Sequence, residues 1–219
     1  MSPFWTYGDL VFMAILYLPL SAAGTILLRH RAGGLLAGQL IGYVAWFLVL
    51  ALLFRIKYGR PFWSSLGWTK APHWFSRSFV IGMALMLGIA AASHWMRLPD
   101  VDSPVKKLLD DSRTLPLAAF SIVVAGPLAE ELAFRGFAQP LLAKSWGTLA
   151  GILLTALPFG LLHAPQLENS WKNVALIVMA GAVFGAIRHL SRSTLASTVA
   201  HATYNGALLA GFLISKIHG

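Results

Sequence analysis

No cysteine occurs in the chain. That excludes disulfides and Cys-ligated metal and leaves the compartment open. Charge is scarce as well: 11% of the 219 residues are Asp, Glu, Lys or Arg, against about 25% in an ordinary soluble domain. Acids are the scarcer sign, 8 against 17 Lys and Arg. The N-terminus, Met1-Ser-Pro-Phe-Trp-Thr-Tyr, lacks a basic n-region and a small-residue cleavage site. The first apolar stretch is therefore expected to stay as a membrane helix. Neither a Gly-x-Ser-x-Gly elbow nor a His-Glu-x-x-His helix signature is present. Those absences remove the serine-hydrolase nucleophile turn and the usual membrane zinc-protease motif. Nor do the apolar segments hold a pair of Asp for a paired-aspartate protease.

Apolar sequence fills the space. Hydrophobic residues make up 57% of the chain, and the mean hydropathy is +0.69. Seven segments come near the roughly 20 residues that a bilayer-spanning helix needs. They run over 8–28, 34–54, 78–98, 114–142, 147–165, 172–190 and 194–215. The fold class is an all-α polytopic membrane protein, a bundle of about seven transmembrane helices, with eight as the alternative count. Residues 1–219 read as a single transmembrane domain without internal repeats. The formal charge of +9 is spread over loops and helix ends, which fits anchoring to lipid headgroups. No basic stripe with interleaved aromatics is present, so nucleic acid is not an expected partner. Of the 8 Trp, residues 63, 68, 74, 95 and 171 fall near segment ends, as interfacial belts require. Alternate loops carry nearly equal Lys and Arg, so the positive-inside rule fixes no orientation. The linker 55–77 is expected to lie in the membrane surface, and the linker 99–113, with Asp100, Asp102, Asp110 and Asp111, reads as a solvated loop. His30, His73, His94 and His218 read as loop or interface residues and His189 as a helix-end cation.

Three polar clusters interrupt this apolar background: Glu130-Glu131 with Arg135, Phe159 with His163, and His201 with Asn205. A charge at the bilayer centre costs roughly 2.5–3.5 kcal/mol on insertion scales. Such residues persist when they pair, line a wet cavity or do chemistry. Adjacent helix positions diverge by about 100°, so the two glutamates face different surroundings. Glu131 and Arg135, four apart in acid-first order, read as a self-neutralising structural pair. Glu130 has no such cation, and a carboxyl so placed in an apolar cavity is a candidate general base. Pro127 is expected to kink the helix just before it, and Pro140 to mark an end or a further bend. Helices four and five should run antiparallel about a turn near residue 145. Glu130 and His163 would then lie at similar depth, roughly 20–27 Å from the turn at 1.5 Å per residue. The chemistry that follows is water activation by Glu130 with His163, and donation to an oxyanion by His201 and Asn205. Gly181 and Gly185 form a small-xxx-small pair, read as close helix packing.

The ordered set Glu130-Glu131-xxx-Arg135, Phe159-xxx-His163 and His201-xxx-Asn205 resembles the CPBP family of CAAX prenyl proteases and bacteriocin-processing or self-immunity (Abi) proteins. The resemblance covers about 114–215, which would hold the catalytic core. It implies a glutamic intramembrane endopeptidase with Glu130 as catalytic glutamate and His163 as its water-orienting partner. His201 and Asn205 would form the oxyanion site, and Glu131, Arg135 and Phe159 would support it. It implies no required cofactor, and a peptide or protein substrate at the membrane: a prenylated CAAX tail, a leader peptide or a membrane helix. The chain is short beside eukaryotic CAAX enzymes, which implies a multi-pass protein of a prokaryotic plasma membrane. Three alternatives stand beside it. One is a metal-dependent protease with Glu130, His163 and His201 as zinc ligands, the donor types of a catalytic zinc site. Another is a non-enzymatic immunity or scaffold protein. The third is a transporter, although inverted repeats with paired broken helices are not visible.

Overall fold

The computed structural model describes residues 3–28, 33–98 and 104–218. The expectations for His30, Asp100 and Asp102 lie outside those residues, as does that for the His218 side chain. Among the described residues the chain is helical, with no strand. In chain order the helices are α1 Tyr7–Leu28, α2 Gly34–Tyr58, α3 Phe62–Ser65, α4 Pro72–Trp95, α5 Pro104–Asp110, α6 Leu115–Trp146, α7 Thr148–Leu162, α8 Trp171–Ser191 and α9 Thr194–His218.

The seven long helices correspond to the seven predicted segments, and five of them (α1, α2, α4, α6 and α8) are long and apolar enough to cross a membrane. α7 is shorter than predicted, 15 residues, or about 22 Å at 1.5 Å per residue. The chain turns through the 3-10 helix Ala164–Leu167 instead, because Pro165 brings no N–H to continue the α-helical ladder. α9 is long, but its first half carries Thr194, Ser197, Thr198 and His201, all buried inside the protein.

Two linkers differ from expectation. Arg55 and Lys57 belong to a π-helical continuation of α2, Leu53–Lys57. α4 starts at Pro72, a residue suited to the first helical turn because it needs no N–H there. The 99–113 stretch contains α5, whose Leu109 packs on Leu36 and Ala118, so this part is not a solvated loop. Asp9, the one Asp in a long helix, was passed over in the sequence. It is buried at the start of α1, accepts from the Thr6 backbone N–H at 2.9 Å, and binds Lys57 Nζ at 2.6 Å and the Tyr58 hydroxyl at 2.5 Å. It ties the start of α1 to the end of α2.

Small residues set the helix approaches, as expected where lipid removes the hydrophobic drive between helices. α1 crosses α2 with Gly24 against the Gly38 carbonyl, and α4 crosses α9 with Gly82 against the Ala200 carbonyl. α6 lies centrally, touching α7, α8 and α9. An aromatic core of Trp5, Trp46, Phe54 and Phe137 joins α1 and α2 to the second half of α6. A second, around Phe159, Phe184 and Tyr204, joins α7, α8 and α9. Trp95 and Trp171 are exposed at helix ends.

Candidate active site

The site grows from an irregularity in α6. Two π-helical stretches, Ser121–Ala125 and Leu132–Ala138, flank the regular turn Gly126–Glu131. The expected disruption at Pro127 takes this form. The Gly126 N–H bonds to the Ser121 carbonyl, five residues back. The same register would pair residue 127 with the Ile122 carbonyl, but proline has no N–H. That carbonyl accepts instead from Asn205 Nδ2 at 2.8 Å. A sequence feature of α6 thus fixes a side chain of α9, and one amide hydrogen of Asn205 is left for other use. Pro140 does not end the helix: α6 continues to Trp146, and the second π stretch lies just before the proline.

Glu131 and Arg135 pair as the spacing predicts, at 3.0 Å, both fully buried. The pair does not close on itself. Glu131 Oε1 also meets His201 Nδ1 at 3.1 Å. A carboxylate accepts, so Nδ1 donates, and His201 Nε2 is turned toward Glu130, 3.8 Å from its Oε2. The spacing rule finds partners on one helix and is blind to a histidine 70 residues away. Phe184 stacks flat on the His201 ring, 4.5 Å between centroids at 18°, which fixes its plane. The start of α9 is itself held by Thr194, whose hydroxyl donates to the Leu66 carbonyl at 2.6 Å.

Phe159 is the hub of the three clusters. Its ring lies 4.5 Å below the Arg135 guanidinium, 4.9 Å from the His163 ring and 5.7 Å from the His201 ring. His163 caps the end of α7, with Nδ1 2.7 Å from the Phe159 carbonyl. A carbonyl accepts only, so Nδ1 carries hydrogen and the neutral ring presents Nε2 as an acceptor.

Glu130, His163, His201 and Asn205 all line one cavity of about 620 Å³. A second, more apolar cavity of about 500 Å³ reaches between α1, α2, α6 and α7. Glu130, Phe159 and His163 line both. Three residues that the sequence reading missed also line both: Gln39 and Tyr43 of α2, and Gln166 in the turn after α7. Gln39 is the one amide or charged side chain between Gly34 and Leu52, and a polar group inside a span was the available signal. Among the described residues no group of three His, Cys, Asp or Glu is placed to hold a metal ion. Gly181 and Gly185 bear out the packing reading. Their carbonyls accept from Arg135 Nη2 at 2.7 Å and Gln139 Nε2 at 2.9 Å, across the α6–α8 contact.

Fold and site together define an integral helical membrane protein with an acid–histidine cluster buried between its helices. Residues 112–207, less than half of the chain, match the model of one family, Rce1-like, described as Type II CAAX prenyl endopeptidase. The match spans all the residues nominated from sequence, and α1, α2 and α4 lie outside it. No curated protein and no solved structure matches the chain. At the coarse level the chain is a membrane protease, acting on a peptide or protein substrate at the membrane.

Proposed function

We propose that the chain is a glutamic-type endopeptidase of a prokaryotic plasma membrane, cleaving a peptide bond in the cavity between α2, α6, α7 and α9. The observation that carries this reading is the common lining of one cavity by Glu130, His163, His201 and Asn205, with Glu130 and His201 3.8 Å apart. A water held between the Glu130 carboxylate and His163 Nε2 gives its proton to Glu130 and attacks the carbonyl carbon. The oxyanion accepts from the spare Asn205 amide hydrogen and from His201 Nε2. For His201 to donate there, both ring nitrogens must carry hydrogen, and Glu131 supplies the counter-charge at Nδ1. Glu130 then passes the proton to the leaving amine. Preorganised donors of this kind are worth about 3–4 kcal/mol each. No step calls on a metal. A prenylated CAAX tail is the substrate that the family description suggests, with a leader peptide or a membrane helix as the other classes.

The test is terminus mapping of the membrane proteome in cells expressing the wild type or Glu130→Gln at equal folded level. New termini that vanish in the mutant are expected, and their sequences name the substrate class. Termini that persist in Glu130→Gln would remove Glu130 from the chemistry, and no new termini at all would favour an immunity or scaffold role.

A further inference from the structure

Gln39 stands alone as an amide in the apolar run of α2, and that helix lies outside the family-matched region. Its Nε2 is 2.7 Å from the Tyr43 hydroxyl, one turn further along the same face. The Tyr43 ring in turn faces the Tyr17 ring of α1 at 6.4 Å. The Gln39 amide is thereby held in one orientation by a partner that is itself packed. Its carbonyl oxygen and second amide hydrogen take no hydrogen-bond partner among the described residues. Gln39 and Tyr43 line both cavities, as do Glu130, Phe159, His163 and Gln166, so the Gln39 amide sits where the two spaces meet beside the candidate base.

With one amide hydrogen given to Tyr43, the Gln39 amide keeps one donor and its acceptor oxygen, the complement of a peptide unit. Leaving such a group within a membrane span is costly unless something satisfies it. We propose that Gln39 binds the substrate's main chain, its carbonyl oxygen accepting a peptide N–H next to the scissile bond, and that Tyr43 is the positioning residue that aims it. This rests on the peptidase reading and adds to it a contact from the N-terminal hairpin. Recognition of main chain rather than side chain gives the site a preference for an extended segment, largely independent of side-chain identity at that position. An interaction present in both the bound ground state and the transition state lowers KM and leaves kcat alone.

The experiment uses the full chain in lipid nanodiscs. The probe is a quenched peptide built on a terminus that vanishes in Glu130→Gln. It is made as a series in which each main-chain N–H flanking the cleaved bond is replaced in turn by an ester oxygen. One ester is expected to raise KM for the wild type about tenfold, the size of one hydrogen bond to a buried group, with kcat changed less than about twofold. Gln39→Met raises KM for the all-amide peptide by a similar factor and no longer distinguishes that ester. Tyr43→Phe, which leaves Gln39 in place, shrinks the ester penalty and carries the test should Gln39→Met not fold. Equal ester sensitivity in all three proteins overturns the proposal, as does a Gln39→Met variant that loses kcat at unchanged KM. If no terminus depends on Glu130, the peptidase reading falls, and this inference falls with it; if one does, an unaltered ester penalty condemns the Gln39 contact alone.

Discussion

Replacing Arg135 by Met tests whether the buried pair holds the site together. Met keeps the length of the stem and removes the charge. Arg135 is fully buried, 3.0 Å from Glu131, and donates to the Gly181 carbonyl at 2.7 Å. Its guanidinium also lies over Phe159 at 4.5 Å, with Phe134 and Phe184 each at 5.7 Å. Breaking a buried pair by removing one partner costs about 3–5 kcal/mol, because the other charge is left behind. At about 2–4 °C per kcal/mol for a chain of this size, melting should fall by roughly 6–20 °C. The double variant Glu131→Gln/Arg135→Met removes both charges and should recover much of that loss, since apolar replacement of a whole buried pair is often close to neutral. Activity should not recover with it, because His201 Nδ1 then lacks its carboxylate. The assay is tryptophan-monitored melting of detergent-solubilised protein, run beside peptide cleavage. A single variant that melts within about 1 °C of the wild type, or a double variant whose losses simply add, would refute the reasoning, since coupled neighbours must deviate from additivity.

Three further outcomes are expected. Pro127→Ala supplies an N–H that competes with Asn205 for the Ile122 carbonyl, so kcat should drop at least about tenfold, partway to the cost of losing an oxyanion donor. In an Asn205→Ala background the same change should add nothing, and additive losses would sever the link. Gly181→Ala places a methyl 2.9 Å from the Phe159 ring and 3.1 Å from Arg135 Nη2, which should destabilise by about 1–3 kcal/mol. Gly88→Ala meets nothing within 4 Å and should be neutral or stabilising by up to about 1 kcal/mol, so the two melting temperatures should move apart. Prolonged chelation should leave cleavage intact, whereas loss of activity followed by rescue with zinc would establish a metal mechanism using Glu130, His163 or His201.

The helices were legible because span length and apolarity are properties of single segments. Glu130 stood out for a similar reason: the acid lacking a cation four residues on was visible in one helix. Three things were not legible. The π stretches around Gly126–Glu131 depend on bonds five residues apart that no spacing pattern announces, although Pro127 and Pro140 marked the neighbourhood. The end of α7 at Leu162 was overrun by three residues because the predicted segment was carried to Pro165 itself, whereas the proline breaks the α-helical ladder before its own position. The Glu131–His201 contact and the place of Gln39 beside Glu130 depend on which helices meet, information carried by packing rather than by period.

The packing itself explains how a membrane protein keeps so many polar atoms inside. Gly181 and Gly185 were read as sites of close approach, and the reason for that approach lies in their carbonyls. With no Cβ in the way, Arg135 and Gln139 reach main-chain oxygens on α8 directly, so a polar ladder forms where lipid could offer no hydrogen bond. That ladder satisfies Nη2 of Arg135, while the Glu131 carboxylate, 3.0 Å from Nη1, supplies the counter-charge. Glu131 then has capacity left for His201, and His201 is thereby turned toward Glu130. A glycine on α8 and a candidate base on α6 are connected through four consecutive polar contacts. A scaffold substitution at Gly181 should therefore be felt at Glu130 before the fold is lost.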